Sequence, residues 1–575
     1  MVRNPISQAL VLGGACLLAI TPFFWRANPS GHDFEFHMYS WMEVLGQWKD
    51  GIIYPRWAAL AHWGYGEARF VFYPPASWTF GAALGAVLPW KVVPGVYCWI
   101  VLALAGAAMY QLARHWLTAE DALFAAVFYA VNPYHLMIIY WRSAFAELLA
   151  AVLLPLLLLC LLQIKESTSS SSDSAARENH KADFRPTLWL SLVLAAAWLT
   201  NVPAAVMIHY SVAGLALAFV AIETVREVDH RGSRRLRIGR PLVRMTAAIF
   251  LGAGLAAFYL LPAIYEQGWI NLKEVLAPGV RPQDNYLFTM TSDPDHNRFN
   301  LLISTIAIAE IVVVAFAIWF SRRWRSKDIE NAYNQSPWLA LSTWAAGSGL
   351  LMLWVSNLLW EYLPKLRYVQ LPFRWLLCMN AALALLLTMA TKRWTSRILV
   401  YVALVAVIVI AGYRTQPPWW DTAADVREMS DAMADGTGYE GTDEYVPAGD
   451  DPYELNKDLS LVSNDKGAPV PSDILAWGPT EKHFRVRVVA AQNLTLRLFN
   501  YPAWKVAVNG RPVPSGSTEV TGLIVVPINA GDNDVYVRFR RTKDRFLGDI
   551  LSAISIALFI LAWMSTRPKI RLGRG

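Results

Sequence analysis

The run "ISQALVLGGACLLAITPFFW" at residues 6–25 decides the fold, and the stretch after it, "NPSGHDFEFHMYSW" at 28–41, decides where chemistry can sit. Twenty uncharged residues cross a bilayer as a helix, and the run is too long for the core of a secretory leader. No small-residue cleavage site follows it, so it reads as a retained first transmembrane helix. Asp33, Glu35 and His37 then fall at a membrane surface, amid Phe34, Phe36, Met38 and Trp41.

Working outward, the same apolar run recurs along the chain. With 55% hydrophobic and 17% charged residues in 575, the protein reads as a polytopic α-helical membrane protein, not a soluble globule. Further spans are expected at 92–113, 119–137, 144–164, 186–200, 203–221, 243–263, 300–320, 337–358, 373–390, 397–412 and 546–564, about twelve with the first. The loops 163–185, 226–240, 321–327 and 391–397 and the tail 567–575 are basic and share one side, which the positive-inside rule makes cytoplasmic together with both termini. Topology thus accounts for the net charge of +7 without nucleic acid, and places the chain in the inner (plasma) membrane. The four cysteines lie in apolar runs and imply neither a disulfide nor a zinc framework.

The run "ASWTFGAALGAVLPW" (76–90) is short, follows Tyr73-Pro74-Pro75, and would invert the later loops if counted as a span. It reads as a helix at the outer membrane face, so the first external loop extends over 26–91, and long ordered loops tend to carry function. The block 413–545 changes character. An acidic stretch gives way, from about 477, to "HFRVRVVAA", "LTLRLFNY", "WKVAVNGRPV", "EVTGLIVVPI" and "NDVYVRFRR", which alternate with period two around an Asn509-Gly510 hairpin turn. The expected organisation is a transmembrane domain 1–412, an external (periplasmic) β-sandwich domain within 413–545, and a last helix with a cytoplasmic tail at 546–575. The Ser-rich stretch 167–172 reads as a flexible linker.

Candidate site residues follow from this threading. If residues 33–50 are helical, Phe34, Met38, Trp41, Leu45 and Trp48 form one stripe and Asp33, His37, Ser40 and Gln47 another, an amphipathic interfacial helix from which Glu35 points away. In "YWRSAFAELLAAVLLPL", Glu147 lies at the external end of an apolar helix with Arg142 five residues earlier; an acid at that depth is a functional candidate, or an ion pair fixing the helix end. Arg56, Arg69, Lys365, Arg367 and Arg374 break the positive-inside bias, and Asn201 sits in an external turn. Either the cations snorkel to headgroups or they meet an anionic phosphate. In loop 264–299, Trp269 and Tyr286 suit a sugar or a structural lid; Tyr501 and Trp504 of the β-domain suit an acceptor or a small core. The acid spacing neither demands nor excludes a divalent cation.

A long first external loop opening on Asp33, then Tyr73-Pro74-Pro75, then Arg142 and Glu147 resembles the GT-C superfamily of membrane glycosyltransferases. "GHDFEFH", "WKDGIIYPRW", "GYGEARFVFYPP", "VQLPFRWL", "DEYVP" and "FNYPAWKVAVNGRPV" are more closely similar to the bacterial and archaeal 6-pyruvoyl-tetrahydropterin synthase-related membrane proteins and their YfhO-like relatives. The resemblance implies a sugar donor on a polyprenyl phosphate and a glycan, lipid or protein acceptor at the outer face. It implies Asp33 as general base, with His37 and Glu147 beside it, and Arg56, Arg69, Tyr73, Arg142, Asn201, Arg367 and Arg374 binding substrate. Two other classes stay open: a lipid or polysaccharide flippase, and a non-catalytic envelope-assembly subunit.

Overall fold

The computed structural model describes residues 4–169, 183–226, 234–325, 335–413 and 420–566. Parts of the basic loops 163–185, 226–240 and 321–327, part of the Ser-rich stretch 167–172, and the whole tail 567–575 lie outside them. Among the described residues eight helices are long and apolar enough to cross a membrane, or ten if each of two bent pairs is one span. Of the dozen expected, Pro5–Ala19 and Arg185–Thr200 form helices of 15 and 16 residues, short of the roughly 20 that a straight crossing needs. Helix Pro75–Gly85 has 11 residues and is also too short to span.

The sequence reading took 243–263 and 337–358 as single spans, and both fall in bent pairs. Gly239–Leu255 and Ala257–Trp269 meet at 77°, and Pro337–Leu351 and Trp354–Tyr362 at 92°. A break frees backbone groups that lipid cannot satisfy, so a neighbour must. At the first break the last span, Lys543–Ser565, does so: Ser552 Oγ accepts from Phe258 N at 2.9 Å and lies 3.1 Å from the Gly254 carbonyl. Gly548, one turn earlier, lets the two backbones touch, since a Cβ there would meet the Ala257 carbonyl at 2.7 Å.

Helix Phe34–Lys49 is not the interfacial helix expected. Both of its stripes are enclosed, Phe34, Met38 and Trp41 on one and His37, Ser40 and Gln47 on the other. The polar stripe is covered by the rest of the first loop and the next external turn: His37 packs on Tyr73 and Phe145, Ser40 accepts from Arg69, and Gln47 donates to the Trp57 carbonyl. Tyr39 stacks on Tyr439 at 4.4 Å, and Trp57 inserts against Trp504 and Tyr501 at 5.6 and 5.7 Å. A two-stranded ladder, Asn28–Pro29 with Trp420–Asp421, ties the segments at the start.

The β-region is a two-sheet antiparallel sandwich. One sheet runs Val462–Asn464, Gln492–Phe499, Leu523–Ile528, Gly516–Ser517; the other runs Ser472–Trp477, Glu481–Val488, Gly531–Phe539, Trp504–Val508, Arg511–Val513. Asn509 and Gly510 sit at φ 50° and 75°, the left-handed pair that a two-residue hairpin turn requires.

Candidate active site

The site begins where the first loop lies against the turn before span Phe145–Thr168. A Cβ on Gly31 would fall 2.5 Å from the Trp141 carbonyl, so only glycine allows this approach. Gly31 N donates to Ser143 Oγ at 3.0 Å, Ser143 Oγ donates to the Pro29 carbonyl at 2.8 Å, and Asp33 N donates to the Arg142 carbonyl at 2.9 Å. On its own side, the chain widens into a π-helical turn at Ile138–Arg142 and reverses through Ser143 at φ 49°. Arg142 is thereby delivered beside Asp33, with Nη2 3.9 Å from Oδ2.

Asp33 occupies the N-cap position but makes no side-chain capping bond, and its carboxylate stays 41% exposed. Asp33 is therefore not spent on capping its helix, because the usual bond to the helix N–H groups is not made. Glu147, buried, is the fixed member. Its Oε2 accepts from Arg142 Nη1 at 2.5 Å and Arg374 Nε at 3.1 Å, and its Oε1 from Tyr134 at 2.5 Å. Arg374 is further held by the Val369 carbonyl at 2.7 Å and Gln370 at 3.2 Å. Glu147 thus holds both guanidiniums in place, with Asp33 beside Arg142 as the exposed carboxylate of the group.

These groups share a cavity of about 980 Å³. Asp33, Tyr73, Arg142, Glu147, Asn201 and Arg374 all line it. Asn201 also caps helix Val202–Arg226, accepting from Ala204 N at 2.9 Å. An apolar extension is lined by Val202 and Val206 of helix Val202–Arg226 and by Ile249, Ala253, Leu260 and Ile264 of the two helices that flank the first break.

The other expected residues are placed elsewhere. His37 is packed among Phe36, Trp41, Tyr73 and Phe145, does not line the cavity, and is pulled down to about 4 by burial. Arg69 is buried against Glu67 at 2.5 Å and Ser40 at 3.0 Å, so an internal carboxylate, not a substrate phosphate, explains it. Arg56 donates to the Phe258 carbonyl at 3.2 Å over the Tyr54 ring, and Arg367 is exposed beside Tyr368; neither lines the cavity. Trp269 packs on Tyr501, and Tyr286 is buried with its hydroxyl on Asn357, so loop 264–299 reaches the cavity through Gln267, Ile270 and Asn285 instead. Tyr501 and Trp504 are core residues, the small-core alternative of the sequence reading. Glu35 is exposed and points away from the cavity, as the helix geometry required.

Lys365, one of the external cations singled out in the sequence, also lines the wall, and residues without an assigned role there complete it: His32, His296, Gln370 and Glu444. Burial lowers the pKa of His32, with Asp33 opposing it, and pushes Glu444 up to about 7. Glu444 belongs to "DEYVP", more than 400 residues from Asp33, a motif whose chemistry is unreadable until the chain is folded. Among the described residues no group of three or more His, Cys, Asp or Glu side chains could hold a metal ion. The immediate neighbours of Asp33 and Glu147 are guanidiniums, which repel a divalent cation.

The site and fold together define a polytopic helical membrane protein with a charged cavity at the mouth of the bundle and a β-sandwich packed over its first loop. No family model matches the chain, and no curated protein matches it. Solved structures do. An arabinofuranosyltransferase, AftD from Mycobacteria, aligns over 94% of this chain and 42% of its own at 14% identity and TM-score 0.44. An Archaeoglobus fulgidus oligosaccharyltransferase aligns over 76% and 56%, respectively, at 13% and 0.38. ArnT from Cupriavidus metallidurans, bound to undecaprenyl phosphate, aligns over 76% and 88% at 14% and 0.28. The chain spans between about a quarter and just over half the length of the first solved structures it matches. TM-scores below 0.5 fix neither activity nor substrate.

Proposed function

We propose that this chain transfers a sugar from a polyprenyl-phosphate-linked donor to an acceptor hydroxyl at the outer face of the membrane, with inversion at the anomeric carbon. The observation that carries the reading is the pairing, on one cavity wall, of a half-exposed carboxylate, Asp33, with two buried guanidiniums, Arg142 and Arg374. Asp33 takes the acceptor's hydroxyl proton as its oxygen bonds to the anomeric carbon. The bond from that carbon to the phosphate oxygen breaks, and the lipid phosphate leaves with the electron pair onto the guanidiniums of Arg142 and Arg374. Glu147 positions both guanidiniums. The apolar extension takes the first isoprene units from the bilayer.

The orientation belongs to the same proposal. Arg397 and Lys392 pair with Asp121 near the starts of spans Trp394–Tyr413 and Ala119–Arg142, and the second of these spans ends on Arg142 in the site. That basic end is cytoplasmic by the positive-inside rule, and the site faces outward. A flippase reading draws on the two bent spans; against it, the charges gather at one mouth instead of the midplane.

The test is sugar transfer from a synthetic polyprenyl-phosphate sugar by the purified chain. Asp33→Asn should abolish transfer with unchanged melting temperature, and full activity in that variant removes Asp33 as the base. Because the donor set around Asp33 is cationic, chelator should leave the rate unchanged.

A further inference from the structure

The first-loop helix, helix Ala423–Ala434 and the β-sandwich enclose a second cavity, of about 540 Å³, which shares no lining residue with the first. Its floor breaks the rule of the strand that builds it. In Glu481–Val488 the inward positions alternate as Lys482, Phe484, Val486 and Val488, so Lys482 stands where the sandwich calls for an apolar residue. Lys482 is only 2% exposed, and among the described residues its ammonium has no hydrogen-bond or ion-pair partner; Trp477 and Trp504 rings lie 5.2 and 5.9 Å away. An unpaired buried ammonium is costly, and an apolar residue would pack better there.

Arg497 supplies a second cation on the same wall. Its Nη atoms are fixed by the carbonyls of Trp63 at 2.5 Å, Lys457 at 2.9 Å and Leu459 at 3.2 Å, while its Nε is buried without a partner. The segment that receives it is strained: His62 and Trp63 both adopt left-handed backbone, at φ 49° and 54°. Glu43, the one buried carboxylate of the cavity, is saturated by Ala59 and Leu60 N–H, Gln47 and the Tyr439 hydroxyl at 2.7 Å, so it does not neutralise Lys482 by contact. Trp63, Trp90 and Trp477 border the space, together with Gln47 and Ser430.

We propose that this cavity binds an anionic saccharide, its carboxylate or phosphate taken by Lys482 and Arg497 and its sugar ring held among the three indoles. The ligand class follows from one buried ammonium without an acceptor, Lys482, and the guanidinium of Arg497 beside it, in a pocket that three indoles and Gln47 border together with Glu43, Lys49 and Asp50.

The test uses the detergent-purified full chain and follows saturable tryptophan quenching and thermal shift with three probes: a glucuronate-containing oligosaccharide, a hexose phosphate and neutral chito-oligosaccharide. One or both anionic probes should bind, and which one does identifies the anion. Lys482→Met keeps the side chain's length and removes the charge, so its melting temperature should equal or exceed that of the parent while affinity falls at least tenfold. Arg497→Gln should weaken binding in the same direction, and Asp33→Asn should leave it unchanged. Equal binding of the neutral probe, no binding of either anion, undiminished binding by Lys482→Met, or a marked fall in that variant's melting temperature each overturns the proposal.

Discussion

Glu147 and Glu266 are built alike and do opposite things. Each is a buried carboxylate gripped by arginine and a tyrosine hydroxyl: Glu147 by Arg142, Arg374 and Tyr134, Glu266 by Arg545 through a double contact at 2.7 Å and by Tyr501. Around Glu266 the knot, which Asp544 also joins, is sealed where the last span meets the β-sandwich. Around Glu147 two guanidiniums meet two carboxylates once Asp33 is counted, but Asp33 and both arginines line a cavity. An intramembrane ion pair is therefore not by itself a site; access makes it one.

The sharpest way to break this comparison is to remove one carboxylate from each place. Asp33→Asn should lower transfer by about 10²–10⁴-fold with the fold intact, as for loss of a general base. Glu266→Gln should do the reverse, destabilising by about 3–5 kcal/mol in denaturant melts because Arg545 is left buried and unpaired, while activity per folded molecule holds. Arg374→Gln should come next, lowering kcat/KM by about 10²-fold through the lost phosphate contact, with a small change in melting temperature. Gly31→Ala should push the first loop off the Trp141 carbonyl, costing about 1–3 kcal/mol in stability and lowering transfer, since Asp33 and Arg142 part.

The smallest expected effect is on the pH profile of stability. Burial lifts Glu444 from its ordinary 4.5 to about 7, so between those values the folded chain holds a proton that the unfolded chain has released, and stability falls as pH rises. Glu43 acts in the same direction. Burial lowers Lys482 from 10.5 to about 7, with Glu43 opposing; between those values the unfolded chain holds the extra proton, and stability rises with pH. These groups place a minimum in stability near pH 7. Glu444→Gln should flatten the acid limb and Lys482→Met the alkaline one, read by denaturation at a series of pH values.

Several parts of this were legible in one dimension. Apolar run length marks spans because a bilayer demands about 20 residues whatever their neighbours, and Asn509-Gly510 marks a hairpin because few residues tolerate its backbone. Arg142, Glu147 and Asp33 stood out because charge at membrane depth is costly wherever it occurs. Arg56 and Arg69 misled for the same reason: each is a polar residue in an apolar setting, and the partner that accounts for Arg69, Glu67, looked like any loop acid. The polar stripe of helix Phe34–Lys49 read as solvent-facing because nothing local announces that Trp57, Arg69 and Tyr73 of the same loop, and Phe145, fold over it.

Hydrophobic run length, turn chemistry and the expense of buried charge are properties of a segment and its solvent, and they determined the membrane architecture, the β-region and the short roster of charged candidates. Which carboxylate stays free, which arginine is already answered, and which cavity receives Lys482 depend on pairings between distant segments. Those pairings were decided by the tertiary structure alone, because the energy of a buried charge is set by whatever stands within a few ångströms of it.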